Sequence, residues 1–410
     1  MSDSAELRDN RRAPARAGTQ TPDSYDFSLI LGGPLFQMFC RARLSGGALE
    51  LLRRRVVVIT LLAWLPLLIL SALAGRTWGD AVHVSFLRDL EVHLRFLLAL
   101  PLLVVAELVV HMRMRPLARQ FLERGMIGDA SRARFDAAVA SALRLRNSVA
   151  AEVVLIALVY VVAALYVRPH YAGLDVESWH AVPGGQHRLS PAGWWLVWVS
   201  LPVFHFLLLR WYFRLFIWVR FLASVAGCGP RVVPTHPDRV GGLGFLSDIV
   251  VAFAPLLMAH GVLLAALIAT RIFYHGAKLP DFKTEIIAVP VFLLVVVLGP
   301  LLLFAPRLAE ARRVGLREYG TLAQRYVREF DDKWLRGGVP AGESLVGSAD
   351  IQSLADLGNS FETLRGMRSV PVTKQALIQL AAMTLVPVAP LVLTMVPLDE
   401  LLKRLLQVVL

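Results

Sequence analysis

Four ionisable residues interrupt long apolar runs of this chain, and their types and positions admit specific chemistry. Glu107 stands about three residues before the end of one run, and Glu152 about three residues after the start of the next. Arg210 lies ~24 Å along a third run, counted at the rise of an α-helix, and Arg214 follows one turn later on the same face. Two carboxylates and two guanidiniums at one depth can pair, which offsets much of the cost of taking charge out of water. They can also line a proton or substrate pathway, because an ionisable group in a membrane is expensive to keep. The plainer alternative is an ion-pair clamp between helices, or arginines snorkelling to lipid headgroups.

His205 and His260 form a second pair. Each lies ~17 Å into its own run, near the midplane of a bilayer. Two such imidazoles can relay protons, bind a transition metal or ligate a haem. Two unrelated histidines, each bonded to a neighbouring helix, are the plainer reading. The third candidate is the loop at residues 235–245, with His236, Asp238, Gly241, Gly242 and Gly244 just before a run. Glycines ahead of a helix can leave backbone amides free to hold an anion. No Gly-Lys-Ser/Thr follows and no strand precedes, so it is neither a P-loop nor a dinucleotide fingerprint. A tight glycine-permitted turn is the alternative.

The elements that must position these residues are membrane helices. Of 410 residues, 56% are hydrophobic and 18% charged, and the mean hydropathy is +0.58. Soluble chains are nearer 45–50% apolar and about 25% charged. The apolar residues fall in blocks at 56–74, 96–110, 149–167, 194–209, 249–270 and 286–305, near the ~20 residues that cross a bilayer. A seventh block, 376–396, holds Pro387 and Pro390. It reads as a span, with a re-entrant hairpin as the alternative. Pro101, Pro202, Pro255, Pro290 and Pro300 interrupt other blocks.

The expected fold is therefore all-α: a polytopic bundle of six to seven spans, a short helical cytoplasmic segment and a C-terminal amphipathic helix. The divisions are a disordered tail at 1–33, six spans within 34–306, the cytoplasmic segment at 307–375, and the seventh span or hairpin with the amphipathic helix at 376–410. A short segment at 35–52 is expected on the inner surface. The fourth span should continue as helix through Arg210, Arg214 and Arg220, and the sixth should extend into the cytoplasm until Gly337, Gly338, Pro340 and Gly342 end it. Ser348 should cap a helix over 350–367.

The net charge of +12 follows the same blocks. Residues 1–55 carry nine arginines and the loop at 112–148 carries eight, while alternate loops are poorer. That alternation places the N-terminus in the cytoplasm of a bacterial inner-membrane protein and argues against nucleic acid. Trp179, Trp194, Trp195 and Trp198 suit an outer aromatic belt. Cys40 and Cys228 are too few and too far apart for a disulfide framework or zinc site. No hydrolase, kinase or zinc-protease motif is present, so no catalytic residue, metal or cofactor is assigned.

Two stretches carry a resemblance. The run from His236 through Gly241, Gly242 and Phe245 is one. The other is Gly347-Ser-Ala-Asp-Ile-Gln-Ser-Leu-Ala-Asp-Leu-Gly-Asn-Ser-Phe361, leading through Pro371 to Leu398. They are similar to a family of uncharacterised bacterial multi-pass membrane proteins. The resemblance implies the same topology and brings no activity, substrate or site residue. A transporter or channel is the first reading. A membrane scaffold or signalling module is the alternative, and a haem-binding redox protein rests only on the two histidines. The expected partners are the bilayer, then a small solute or ion, a second copy, or a cytoplasmic protein.

Overall fold

The computed structural model describes residues 27–30, 32, 52–79, 84–172, 178–181 and 189–395. Six helices are long and apolar enough to span a membrane, and the architecture is that of a multi-pass integral membrane protein. They are α1 (Leu52–Leu73), α2 (Leu90–Glu123), α4 (Val149–Val167), α5 (Pro191–Gly227), α6 (Phe245–His275) and α7 (Leu279–Leu335). A non-spanning helix, α3 (Asp129–Arg146), joins α2 to α4. No strand is present among the described residues, only isolated bridges at Val84–Ser178 and Ala181–Leu189.

Proline shapes the spans without ending them. Before Pro101, Pro169 and Pro202 the helix widens into a π-helical turn at Leu94–Ala99, Ala163–Val167 and Leu196–Ser200. In each case the residue just before the proline donates five residues back: Leu100 to Arg95, Arg168 to Ala163, Leu201 to Leu196. A proline ring presses on the carbonyl four residues behind it and offers no N–H. A wider turn relieves the pressure and keeps the other backbone groups bonded, as lipid demands. Pro66 in α1 is handled differently. The carbonyl it leaves without a helical donor, Leu62 O, accepts from Trp195 Nε1 of α5 at 3.3 Å.

One end of the bundle is closed by aromatic packing. Phe86 and Trp179 are fully buried and meet edge to face at 5.0 Å. Trp64 Nε1 donates to His93 Nδ1 at 2.9 Å, and His93 Nε2 donates to Phe86 O at 3.0 Å. Trp179 Nε1 donates to Asp89. Trp179 is thus a core residue and not part of a lipid-facing belt. Its indole N–H finds a carboxylate inside the protein. Trp194 is 60% exposed and fits the belt.

At the other end, Phe27 stacks on Phe221 of α5 with ring centroids 4.4 Å apart. Phe27, Ser28, Leu29 and Ile30 are all buried. The disordered tail drawn to residue 33 therefore stops too late, because Phe27 has a ring to cover. Residues 1–26 and the inner-surface segment expected at 35–52 lie outside the described residues, apart from Leu52. So does the C-terminal amphipathic segment.

The sixth and fourth spans extend as expected. Helix α7 runs unbroken for 57 residues, and α8 (Ala349–Arg365) folds back on its far part. Ser348 caps α8 by accepting from Asp350 N at 3.0 Å. Tyr326, Lys333 and Trp334 of α7 all bond to Asp350. Leu364 of α8 adds an apolar contact, fully buried close against Gly315 of α7.

The seventh block is not a continuous span. α9 (Lys374–Leu385) is ~18 Å long, short of a ~30 Å hydrocarbon core. It bends by 57° into Ala389–Met395, and Pro387 lies at the break. α9 packs on α6 where a glycine permits it. A Cβ on Gly261 would stand 2.0 Å from Thr384 O. Gly261→Ala should therefore lower stability by about 1–3 kcal/mol through overpacking. Gly358→Ala, on an open face of α8, should raise it by about 0.5–1 kcal/mol. Thermal unfolding of both purified variants checks the pair, and equal shifts would contradict the close crossing.

Candidate functional site

The four charged candidates do meet, and the group contains a fifth member. Each comes from a helix face built by spacing. In α1 the buried residues are Arg55, Ile59, Ala63, Leu67 and Ser71, one turn apart. Glu107 lies among Leu103, Val104, Ala106 and Val110 on α2. Ser148 caps α4 by accepting from Ala151 N at 3.2 Å, which sets Glu152 one turn in. Arg210 and Arg214 share the buried face of α5 with Leu207, Trp211 and Trp218.

Glu107, 3% exposed, is the hub. It bonds to Arg55, accepts from Arg214 Nη1 at 2.8 Å, and has Arg210 Nη1 at 3.5 Å. Arg210 Nη2 also reaches Glu152 Oε1 at 3.4 Å. Arg214 lies over the Trp211 ring at 4.9 Å, and Trp211 Nε1 donates to Leu103 O at 2.9 Å. Among the described residues the group is three guanidiniums and two carboxylates, all at most 7% exposed. It ties α1, α2, α4 and α5 together. By loop charge alone Arg55 groups with Arg53 and Arg54. The period-four row with Ile59, Ala63 and Leu67 is the signal that turns it inward.

The histidines do not form a pair. His260 Nδ1 donates to Leu256 O at 2.8 Å, so its Nε2 accepts from Tyr212 OH at 2.8 Å. Both ring nitrogens are engaged, leaving no lone pair for a metal or haem. His205 stands edge to face with Phe204, and no hydrogen bond or ring contact joins it to His260. Among the described residues no cluster of three His, Cys, Asp or Glu could hold a metal ion.

The glycine loop does have converging amides, but they serve its own side chain. Asp238 Oδ1 accepts from Val240 N at 2.9 Å and Gly242 N at 3.1 Å, and Oδ2 accepts from Gly244 N at 2.9 Å. His236 Nδ1 lies 2.9 Å from Oδ1. Burial works against the charge, yet the three amides and His236 hold the carboxyl below its usual range. The turn needs left-handed backbone at Gly241, φ +65°, and Gly242, φ +93°. Arg239 is also left-handed, φ +57°, and its carbonyl accepts from Arg368 N at 2.7 Å. Arg368 further bonds Asp238 O and Val372 O, so the loop is docked on the stretch after α8. An anion-binding loop is replaced by an anchored turn.

Glu107→Gln should destabilise the protein by about 3–5 kcal/mol, because it leaves three buried guanidiniums against one carboxylate. Adding Arg214→Met should recover part of the loss, since it removes surplus charge. Thermal unfolding of the single and double variants checks this, and additive losses would disprove the coupling. Asp238→Asn should cost about 1–3 kcal/mol near neutral pH. The Asp238 carboxyl is depressed, so its contribution is present above about pH 3.8 and fades as pH falls through the lower folded value. Hydrogen exchange at the amides of residues 240, 242 and 244 should show the two proteins converging in acid.

No family model, no curated protein and no solved structure matches the chain. The resemblance to uncharacterised multi-pass proteins therefore rests on the residues of the loop and of the stretch from Gly347 onward, and no family is assigned.

Proposed function

We propose that this protein is a bacterial inner-membrane module, N-terminus in the cytoplasm, that presents the α7–α8 hairpin to a cytoplasmic protein partner. The observation that carries the reading is the length of α7. Fifty-seven helical residues extend ~85 Å, nearly three times a hydrocarbon core. The membrane-inserted part and the projecting part are thus one continuous helical run, joined through a 3-10 stretch at Gly299–Phe304. Leu322, Val327 and Leu335 stand exposed on the projecting part. The intramembrane charges support the same reading. Glu107, Glu152, Arg210 and Arg214 are spent on bonds between helices, which suits a rigid platform better than a conduit. The distribution of arginine along the sequence supports the orientation.

One observation favours a conduit. Arg214 Nη2 is buried without a hydrogen-bond partner among the described residues, and the cluster holds more guanidiniums than carboxylates. That surplus would attract an anion crossing the membrane.

Two measurements on the full chain separate the readings. A photo-crosslinker at position 322 or 327 in native membranes should yield a discrete protein adduct that Leu322→Glu with Val327→Glu abolishes. Proteoliposomes should show no proton, cation or anion flux above empty vesicles. A flux removed by Glu152→Gln in a chain that still folds would sink the module reading.

A further inference from the structure

The outer face of α1 carries an apolar groove of 620 Å³ lined by Val58, Leu61, Leu65, Ile69 and their neighbours, with Trp195 as one wall. Its wall is anchored at the carbonyl that Pro66 strands and at the next one. Trp195 Nε1 donates to Leu62 O at 3.3 Å, and Ser200 Oγ donates to Ala63 O at 2.6 Å. The groove is therefore held by two bonds between helices and is not a loose dent in a lipid-facing surface.

Its position along the helix is informative. From Val58 to Leu70 the rise is ~18 Å, close to one leaflet of a ~30 Å core. One turn before Val58, on the same face, stands Arg54, because positions 54, 58, 61, 65 and 69 repeat at three and four. Arg54 is exposed and makes no ion pair or hydrogen bond among the described residues. Its neighbours in sequence point elsewhere: Arg55 turns in to Glu107, and Arg53 lies about 100° round the helix. A cation at headgroup depth thus heads an apolar channel one leaflet long.

We propose that this face binds one anionic phospholipid, its phosphate on Arg54 and one acyl chain along the groove to Leu70. Charge complementarity selects the headgroup, since a basic residue at a membrane surface attracts anionic lipid. The proposal rests on the membrane architecture and is independent of the partner proposed for α7 and α8.

Native mass spectrometry of the full chain with added phosphatidylglycerol or phosphatidylcholine of identical acyl chains tests it. The wild type should retain one phosphatidylglycerol in preference to phosphatidylcholine. Arg54→Ala should lower that preference about fivefold, and Arg53→Ala should change it less. Leu65→Trp, which fills the groove, should weaken both adducts. All these side chains face outward, and size-exclusion chromatography confirms folding. Unchanged adducts in both Arg54→Ala and Leu65→Trp would overturn the site. Efficient disulfide cross-linking of Leu61→Cys chains in native membranes would assign the groove to a second copy and overturn it equally.

Discussion

A carboxylate at the bottom of a low-dielectric bundle decides what the rest of this protein must do. Glu107 is buried on α2, out of reach of bulk solvent. It needs cations held by structure, and they arrive from α1 and α5. Arg210 in turn brings in Glu152 from α4. Four helices are thereby set in rotation and depth at once. In lipid the apolar faces alone could not do this, because lipid tails compete for them as well as a neighbouring helix does. Directional charge supplies the specificity that apolar packing lacks.

The same economy governs the other polar groups. Trp195 satisfies the carbonyl that Pro66 strands, Tyr212 satisfies His260, and Asp89 satisfies Trp179. Each bond crosses between elements and so locks a pair. Close backbone approaches do similar work where side chains are absent. Gly193 meets His180 O, and Gly261 meets Thr384 O, both nearer than any Cβ would allow. Small residues at such crossings replace a driving force that water would otherwise provide.

The spans are legible in the sequence because little besides a bilayer calls for an uncharged apolar run near 20 residues. Their ends are less so: α2 begins at Leu90, before the run at 96–110, because charged residues can ride on a helix once it leaves lipid. α3 is hidden inside an arginine-rich loop, although Phe135, Ala138, Val139 and Ala142 keep helical spacing. Depth alone brings Glu107, Glu152, Arg210 and Arg214 together. Arg55 escapes that reasoning because the two arginines before it disguise it as surface charge. Facing, unlike depth, depends on neighbours, so the separate placement of His205 and His260 is not written in their spacing. Pro387 foreshadows the bend after α9, but its 57° angle is not written in the residue types.

The turn at residues 236–244 has a further consequence. Asp238 occupies, by tether, the position that a dissolved phosphate or sulfate would seek among the amides of residues 240, 242 and 244. A tethered group acts at an effective concentration that short linkers raise to the millimolar range or above. Cellular anions must outcompete a ligand that never diffuses away. The loop's converging amides are therefore already engaged, and its contact with Arg368 needs no anion from solution.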